Sequence, residues 1–579
     1  MFSVLRKLSW FFKEYRWRYT VAVVFLIIAS VLVIIPPKIV GLVIDDIHMA
    51  TLTSTALWKY ISILLGTTAL SYGLTYVWMH LLFGGAFILE RKLRLNLMTH
   101  FMKMTPTFYE RNRTGDLMAR ATNDLKAVSD TTGFGVLTLV DSTIYMLLIL
   151  FTMSVSISWK LTLAAVLPLP IMALLMTMYG EKIHQRFTEA QDAFGDMNDR
   201  VLETVGGVRV IRAYVQERAD EQRFQQMTND VYQKNIDVAK IDALFEPTIK
   251  IFVGLSYLIG LGYGAYLVFH QEVTLGELVS FNVYLGMLIW PMFAFGELMN
   301  MMQRGNASLD RVQETLHYKE DVVDPGQPIV VHDPSSIQFD AVSFQYPSSQ
   351  VNNLEKVTVQ LKKGETLGIV GKTGSGKTTF IKQLLRQYPH PEGHLTIGDV
   401  DIQEQTKEQI LHWIGYVPQD HVLFSRTVRE NILFGQPEAT EAELEKAIDL
   451  ASLRKDLATF PDGLHTLVGE KGVALSGGQK QRISIARALI KNPDILILDD
   501  SLSAVDAKTE AQIIGNIRSE RKKKTTLIAS HRLSAVQHAD WIVVFENGRV
   551  VQAGIHDELI QTEGWYKEQY ERQQLQEID

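Results

Sequence analysis

The sequence predicts a membrane-spanning all-α half of six helices with long cytoplasmic helical extensions, followed by a soluble α/β half around a largely parallel sheet. Three observations carry that prediction. Long uncharged apolar runs crowd into the residues before about 305, which is where spans of ~20 apolar residues belong. From about residue 333 short β-rich runs alternate with helical stretches. Between the two lies a polar segment, 315–334, holding Pro325, Pro328 and Pro334, which reads as a linker. The chain of 579 residues has no Cys, which excludes disulfide frameworks, Fe–S clusters and Cys-ligated zinc. Its net charge of −7 gives no footprint for nucleic acid, since a binding face must displace phosphate counterions.

The membrane half is expected over 1–314. Residues 21–35 (VAVVFLIIASVLVII) carry no charge, and the run continues past Pro36, Pro37 and Lys38 to Ile44. A signal sequence is the alternative, but the stretch is too long for a signal h-region and no small-residue cleavage site follows. Similar runs place the six spans at about 20–44, 58–83, 133–157, 160–180, 247–269 and 276–302. Arg6, Lys7, Lys13, Arg16 and Arg18 precede the first span, and Arg91, Lys92, Arg94, Lys103, Arg111, Arg113, Arg120 and Lys126 lie between the second and third. The short connections near Asp45, near 159–160 and near 271–274 carry a single basic residue among them, Lys160. Cytoplasmic loops retain Lys and Arg, so a multi-pass chain with both termini cytoplasmic is expected.

The inner connections, 84–132 and 181–246, are far longer than turns and keep helical apolar spacing among their charges. A helical hairpin of ~50 residues reaches tens of ångströms beyond the bilayer at 1.5 Å per residue. Phe108, Tyr109, Val210, Ile211 and Tyr214 sit near the tips, and exposed aromatics there favour docking on a soluble domain. The sixth span mixes Met with aromatics, including Trp290, Phe293 and Phe295, soft surfaces that repack around varied apolar ligands or simply face lipid. Asp141 and Glu297 lie toward the cytoplasmic ends of their spans, where acids face protein or water. With Trp290 they are the candidate contacts for hydrophobic or cationic substrates.

In the soluble half, over 335–579, the apolar strand 366–370 is followed by Gly371, Lys372, Thr373, Gly374, Ser375, Gly376, Lys377, Thr378 and Thr379, and then by a helical pattern. That is a Walker A loop in its required context. Its backbone N–H groups wrap phosphate oxygens, Lys377 reaches the β and γ phosphates of ATP, and the Thr378 hydroxyl ligates Mg²⁺. The strand 495–498 runs into Asp499 and Asp500, the Walker B arrangement, with Asp499 as the Mg²⁺ carboxylate. Between the two motifs, Leu475, Ser476, Gly477, Gly478 and Gln479 open a helix and make a second anion-binding terminus.

A signature LSGGQ between a Walker A and a Walker B is peculiar to ABC ATPases, and the whole chain resembles an ABC exporter half-transporter of the six-helix multidrug type. The resemblance implies roles for single residues. Tyr346 stands where an aromatic stacks on adenine, Gln419 where the Q-loop residue senses Mg²⁺, Asp506 in the D-loop, and His531 where the switch histidine approaches the γ-phosphate. Thr466, Leu467, Val468, Gly469 and Glu470 resemble the exporter X-loop, and docking of the inner loops is implied at 109–116 and 209–216, with Tyr109 and Tyr214 as the coupling candidates. Family ATPases pair head to tail, so Ser476, Gly477, Gly478 and Gln479 would complete the site of a second half-transporter chain in the plasma membrane. One position departs from the pattern: the family's catalytic Glu is replaced by Asp500. With a carboxylate one methylene shorter, the site built on this Walker A is expected to bind ATP and hydrolyse it poorly, since ~1 Å of misplacement costs about 10²-fold. The chain is in this respect similar to the BmrC-type smaller subunit of bacterial heterodimeric multidrug exporters. A homodimer with two slow sites, a lipid or peptide flippase, and a regulatory ATP-binding subunit are the alternatives.

Overall fold

The structure, a computed structural model, describes residues 3–469 and 475–578. It divides into two compact units, Met1–Thr99 with Gly115–His317, and His100–Thr114 with Tyr318–Asp579.

Among the described residues five helical runs are long and apolar enough to cross a membrane: Arg16–His48, Ser54–Lys103, Thr114–Val166, Glu217–Phe269 and Leu275–His317. The expected span at 160–180 is not among them. It is shared between the helices Trp159–Val166 and Pro168–Ala213, because Pro168 lacks the N–H that would carry one ladder through. Upstream, Ser158 is extended (φ −160°, ψ 123°) and its hydroxyl accepts the Leu161 N–H at 3.4 Å, so the run Thr114–Val166 departs from helical angles at that residue. Large apolar residues such as Val24, Ile28, Leu65, Leu147 and Phe151 remain exposed on the helix faces, the surface hydrocarbon would cover.

Pro36 and Pro37 interrupt the ladder inside Arg16–His48, and the helix Leu275–Met287 supplies donors to the carbonyls around them. Tyr284 donates to Ile34 O at 2.7 Å and Ser280 to Pro37 O at 2.9 Å. Asp45 then accepts the Thr274 hydroxyl at 2.6 Å and the Gly276 N–H at 2.7 Å, capping that helix from the side. Contact this close needs small residues: a Cβ on Gly276 would lie 1.9 Å from Gly41 O. The inner connections are helical as expected, one as the 50-residue helix Ser54–Lys103 and the other as Pro168–Ala213 followed by Glu217–Asp242. Near the tip of the second, Asp220 takes an ion pair from Arg200 and the Thr204 hydroxyl at 2.8 Å.

The second unit holds two sheets, where one largely parallel sheet was expected. In the six-stranded one the order is Arg549–Gly554, Trp541–Glu546, Thr366–Gly371, Thr525–Ala529, Ile495–Asp499, Ile414–Val417, parallel throughout except for the first pair. Its central strands are buried on both faces and so read as continuous apolar runs. The other is antiparallel, in the order Leu354–Lys362, Ser336–Phe344, Glu392–Ile397, Val400–Asp401. Three adjacent parallel strands end in Gly371, Asp499 and Ala529, so the loops that follow them converge at one edge, where open α/β sheets hold ligands.

Two further segments pack onto this unit. The proline-bearing stretch after His317 is tied down by Arg386 to Asp324 at 3.2 Å, Lys407 to Val322 O at 2.8 Å and Ile329 N to Glu404 O at 2.7 Å. The short helix Pro106–Arg111 buries Phe108 edge-on to Tyr318 (centroids 5.0 Å), while the Tyr388 hydroxyl donates to Glu110 at 2.5 Å.

Candidate functional site

Gly371 ends its strand at φ 145°, and a Cβ there would meet Phe545 O at 2.2 Å, so only glycine lets the loop leave the sheet so tightly. Gly374 and Gly376 also have positive φ, and the helix Lys377–Leu384 begins directly after them. Thr373 and Gly374 are exposed at the loop's crest, whereas the Ser375 hydroxyl is buried with no hydrogen-bond partner, a polar group with capacity to spare. Lys377 Nζ donates to Gly371 O at 2.8 Å and Lys372 O at 2.9 Å. Burial pushes its ammonium below the usual lysine range, against the pull of Asp500 and Asp499.

Beside the loop, Thr378 donates to one Asp499 oxygen at 3.1 Å and Tyr416 to the other at 3.4 Å. Asp499 is 1% exposed, and burial pushes its carboxyl up, opposed by those two hydrogen bonds. A hydroxyl and a carboxylate this close are hard oxygen donors of the kind Mg²⁺ takes, so the residues present fit the ion. Gln419 is exposed just past the strand Ile414–Val417. Tyr346 donates to the Thr379 hydroxyl at 3.1 Å and meets Tyr388 edge-on (centroids 4.8 Å), which stands its half-buried ring at the rim of the same loop.

Asp500 continues the line of the strand only in part: its N–H reaches Ala529 O at 2.8 Å, but its φ is 46°, a left-handed conformation stored at a functional position. Its carboxylate is in hydrogen-bond contact with His531 Nδ1 at 2.8 Å. Asp506 caps the helix Ala507–Glu520 by accepting the Thr509 N–H at 2.9 Å. Ser476 caps Gly477–Leu489 in the same way, taking the Gln479 N–H at 3.3 Å while Gln479 accepts the Ser476 N–H at 3.0 Å. Gly478 lies against the D-loop, a Cβ on it falling 3.0 Å from Ala504 O. Of the X-loop residues, Glu470 lies outside the described residues.

The structure therefore gathers Lys377, Thr378, Asp499, Asp500 and His531 about one sheet edge. It adds residues that no motif pointed to. Tyr416 holds Asp499, and His421, two positions past Gln419, has a buried Nδ1 without a partner and a ring whose burial lowers its proton affinity. At the first inner loop Phe108 is buried against Tyr318, and Glu110 accepts the hydrogen bond from Tyr388, whereas Tyr109 donates to Phe101 O of its own loop at 2.6 Å. Tyr214 is 73% exposed. In the membrane unit Trp290 Nε1 donates to Asp141 at 2.9 Å, where a π-helical turn, Asp141–Tyr145, begins. Glu297 is apart from them and faces Arg304 at 3.4 Å.

Two families match the chain: the ABC transporter transmembrane region over residues 19–292 and the ABC transporter family over 354–503. YheI of Bacillus subtilis (strain 168), named a probable multidrug resistance ABC transporter ATP-binding/permease protein, is 64% identical over 575 residues, covering 99% of this chain and 98% of that protein. MdlA of Escherichia coli (strain K12), a multidrug resistance-like ATP-binding protein, is 42% identical over 573 residues, covering 98% and 96%. Among solved structures, a bacterial Atm1-family ABC exporter with ATP bound matches at TM-score 0.78 and 25% identity, over 96% of this chain and 99% of that one.

Proposed function

Because the chain belongs to the ABC transporters, with a transmembrane region and an ABC ATPase domain in one polypeptide, we propose that it exports amphipathic, often cationic compounds from a bacterial cell as one half of a heterodimer. The six spans cross the plasma membrane with both termini cytoplasmic. The partner is a second half-transporter that keeps the catalytic Glu, lipids surround the spans, and nucleic acid plays no part. The names of the relatives, multidrug resistance proteins both, support the substrate class.

Each step follows from groups already placed. Lys377 exchanges two carbonyl partners for phosphate oxygens, and the backbone N–H groups from Gly374 to Thr379, with the Ser375 hydroxyl, complete the cradle. Thr378, Asp499 and Gln419 would hold Mg²⁺, which supplies charge neutralisation on the transferring phosphoryl group. Tyr346 offers its ring face to adenine. The signature residues Ser476 to Gln479 lie on a helix N-terminus and serve the partner's nucleotide. Closure of the nucleotide domains is passed to the spans through the inner loops and alternates access across the membrane.

The observation that carries the asymmetric reading is Asp500. Its side chain is one methylene shorter than Glu, and one of its carboxylate oxygens is engaged by His531 at 2.8 Å. In the reconstituted heterodimer, Asp500→Asn is expected to change steady-state ATPase by no more than about two- to threefold, whereas loss of a general base typically costs ~10²–10⁴-fold. A loss of that larger size at Asp500 would make this site a working one and return the homodimer-like reading.

A further inference from the structure

His531 is fixed by its backbone more than by its ring. The side chain is 52% exposed and its hydrogen bond is the one to Asp500, itself a partly exposed acid. The chain that follows it, Arg532 and Leu533, is held twice. From within, Arg532 donates to Ser503 O at 3.0 Å and Val505 O at 3.2 Å in the D-loop, and to Glu510 at 2.9 Å. From outside, a single side-chain amide spans the loop: Gln573 Oε1 accepts the Leu533 N–H at 2.9 Å, and Gln573 Nε2 donates to His531 O at 3.0 Å. A pair of bonds to the N–H and C=O flanking one residue is what a neighbouring strand would make. Here one glutamine makes it.

That glutamine sits on the helix Trp565–Ile578, whose first turn is anchored by the fully buried Tyr566. The Tyr566 hydroxyl meets His556 Nδ1 at 2.8 Å, and its N–H reaches Gln552 at 3.3 Å. Gln573 is seven residues on, about 10 Å along the axis at 1.5 Å per residue. The helix is thus an arm, seated at one end on the domain core and touching the switch loop near the other.

We propose that Gln573 is a positioning residue for His531, and that the helix Trp565–Ile578 sets the register of the switch loop from outside the nucleotide site. The inference rests on the reading of His531 as the residue that meets the γ-phosphate. It does not depend on whether this site turns over, because its readout is nucleotide affinity.

Gln573→Met keeps the volume and helix preference of the side chain and removes both hydrogen bonds; Gln573→Glu keeps the acceptor for Leu533 N–H and sets a carboxylate against His531 O. The full chain, assembled with its partner in nanodiscs, is photo-labelled with 8-azido-ATP, and its apparent affinity is read beside its melting temperature. Gln573→Met is expected to weaken labelling of this chain roughly three- to tenfold, as the loss of one to two net hydrogen bonds implies, with Gln573→Glu in between and the melting temperature unchanged. In a His531→Ala background the same substitution should have no further effect, since coupled residues are non-additive. Wild-type affinity in Gln573→Met, or an equal loss with His531 already removed, would overturn the proposal. Should Gln573→Met not assemble, Gln573→Glu carries both comparisons.

Discussion

Lys377 rests on two carbonyls of its own loop, 2.8 and 2.9 Å away, and burial already disfavours its charge. A phosphate entering the loop therefore meets an ammonium that gains by the exchange. Lys377→Ala should abolish ATP labelling of this chain, because each hydrogen bond to a charged partner contributes about 1.5–3 kcal/mol and no other side-chain cation lies in the Walker A loop beyond Lys372 at its crest. Undiminished labelling would remove this lysine from the site. That Lys377, Thr378 and Asp499 come together was expected from the sequence because each sits in a short motif, a strand running into a Gly-rich turn for the first two and a strand ending in a carboxylate for the third. His421, Tyr416 and Gln573 were not, since a buried ring, a long hydrogen bond and an amide clamp depend on which loops the sheet brings side by side. Asp500 lies between those cases: its identity announced a change in chemistry, and only the fold showed His531 upon it.

Among the elements, the pairing of Arg16–His48 with Leu275–Met287 depends on two glycines placed back to back. Gly276→Ala should destabilise the membrane unit by about 1–3 kcal/mol, the usual cost of overpacking, because the new methyl meets a backbone carbonyl that cannot turn away. A fluorescence-detected melt in detergent reads the effect; an unchanged melt would mean that the two helices can separate freely at that level. Hydropathy identified both helices, but it carries no information about which ones touch, so the Asp45, Ser280 and Tyr284 hydrogen bonds were beyond it. The fourth expected span shows a different limit. Apolar content alone joins residues on both sides of Leu167, where Pro168 opens a new helix, Pro168–Ala213, that carries Pro170 in its first turn. The antiparallel sheet was folded into the expected parallel one for a related reason: runs such as 337–344 and 395–397 are β-rich whichever strand they pair with, so the sequence shows the strands and not their partners.

For the whole molecule, one nucleotide domain per chain leaves Ser476, in the proposed assembly, to complete a partner's site. If it does so, Ser476→Arg should lower ATPase of the assembled complex by about 10²-fold, displacing the γ-phosphate by the ~1 Å that such a loss requires, and so exceed any change at Asp500. Full activity in purified Ser476→Arg complex would place the working site elsewhere. The fold also has a history built into it. The second unit is closed by His100–Thr114, a segment translated long before the rest of that unit, and Glu110 leaves the ribosome 278 residues ahead of Tyr388. At 5–20 residues per second that is a wait of roughly 15–55 s, during which the apolar face of Phe108 has no seat. Biogenesis of this transporter is thus order-dependent: the nascent membrane half must be kept from aggregating until the distal chain arrives to receive its loop.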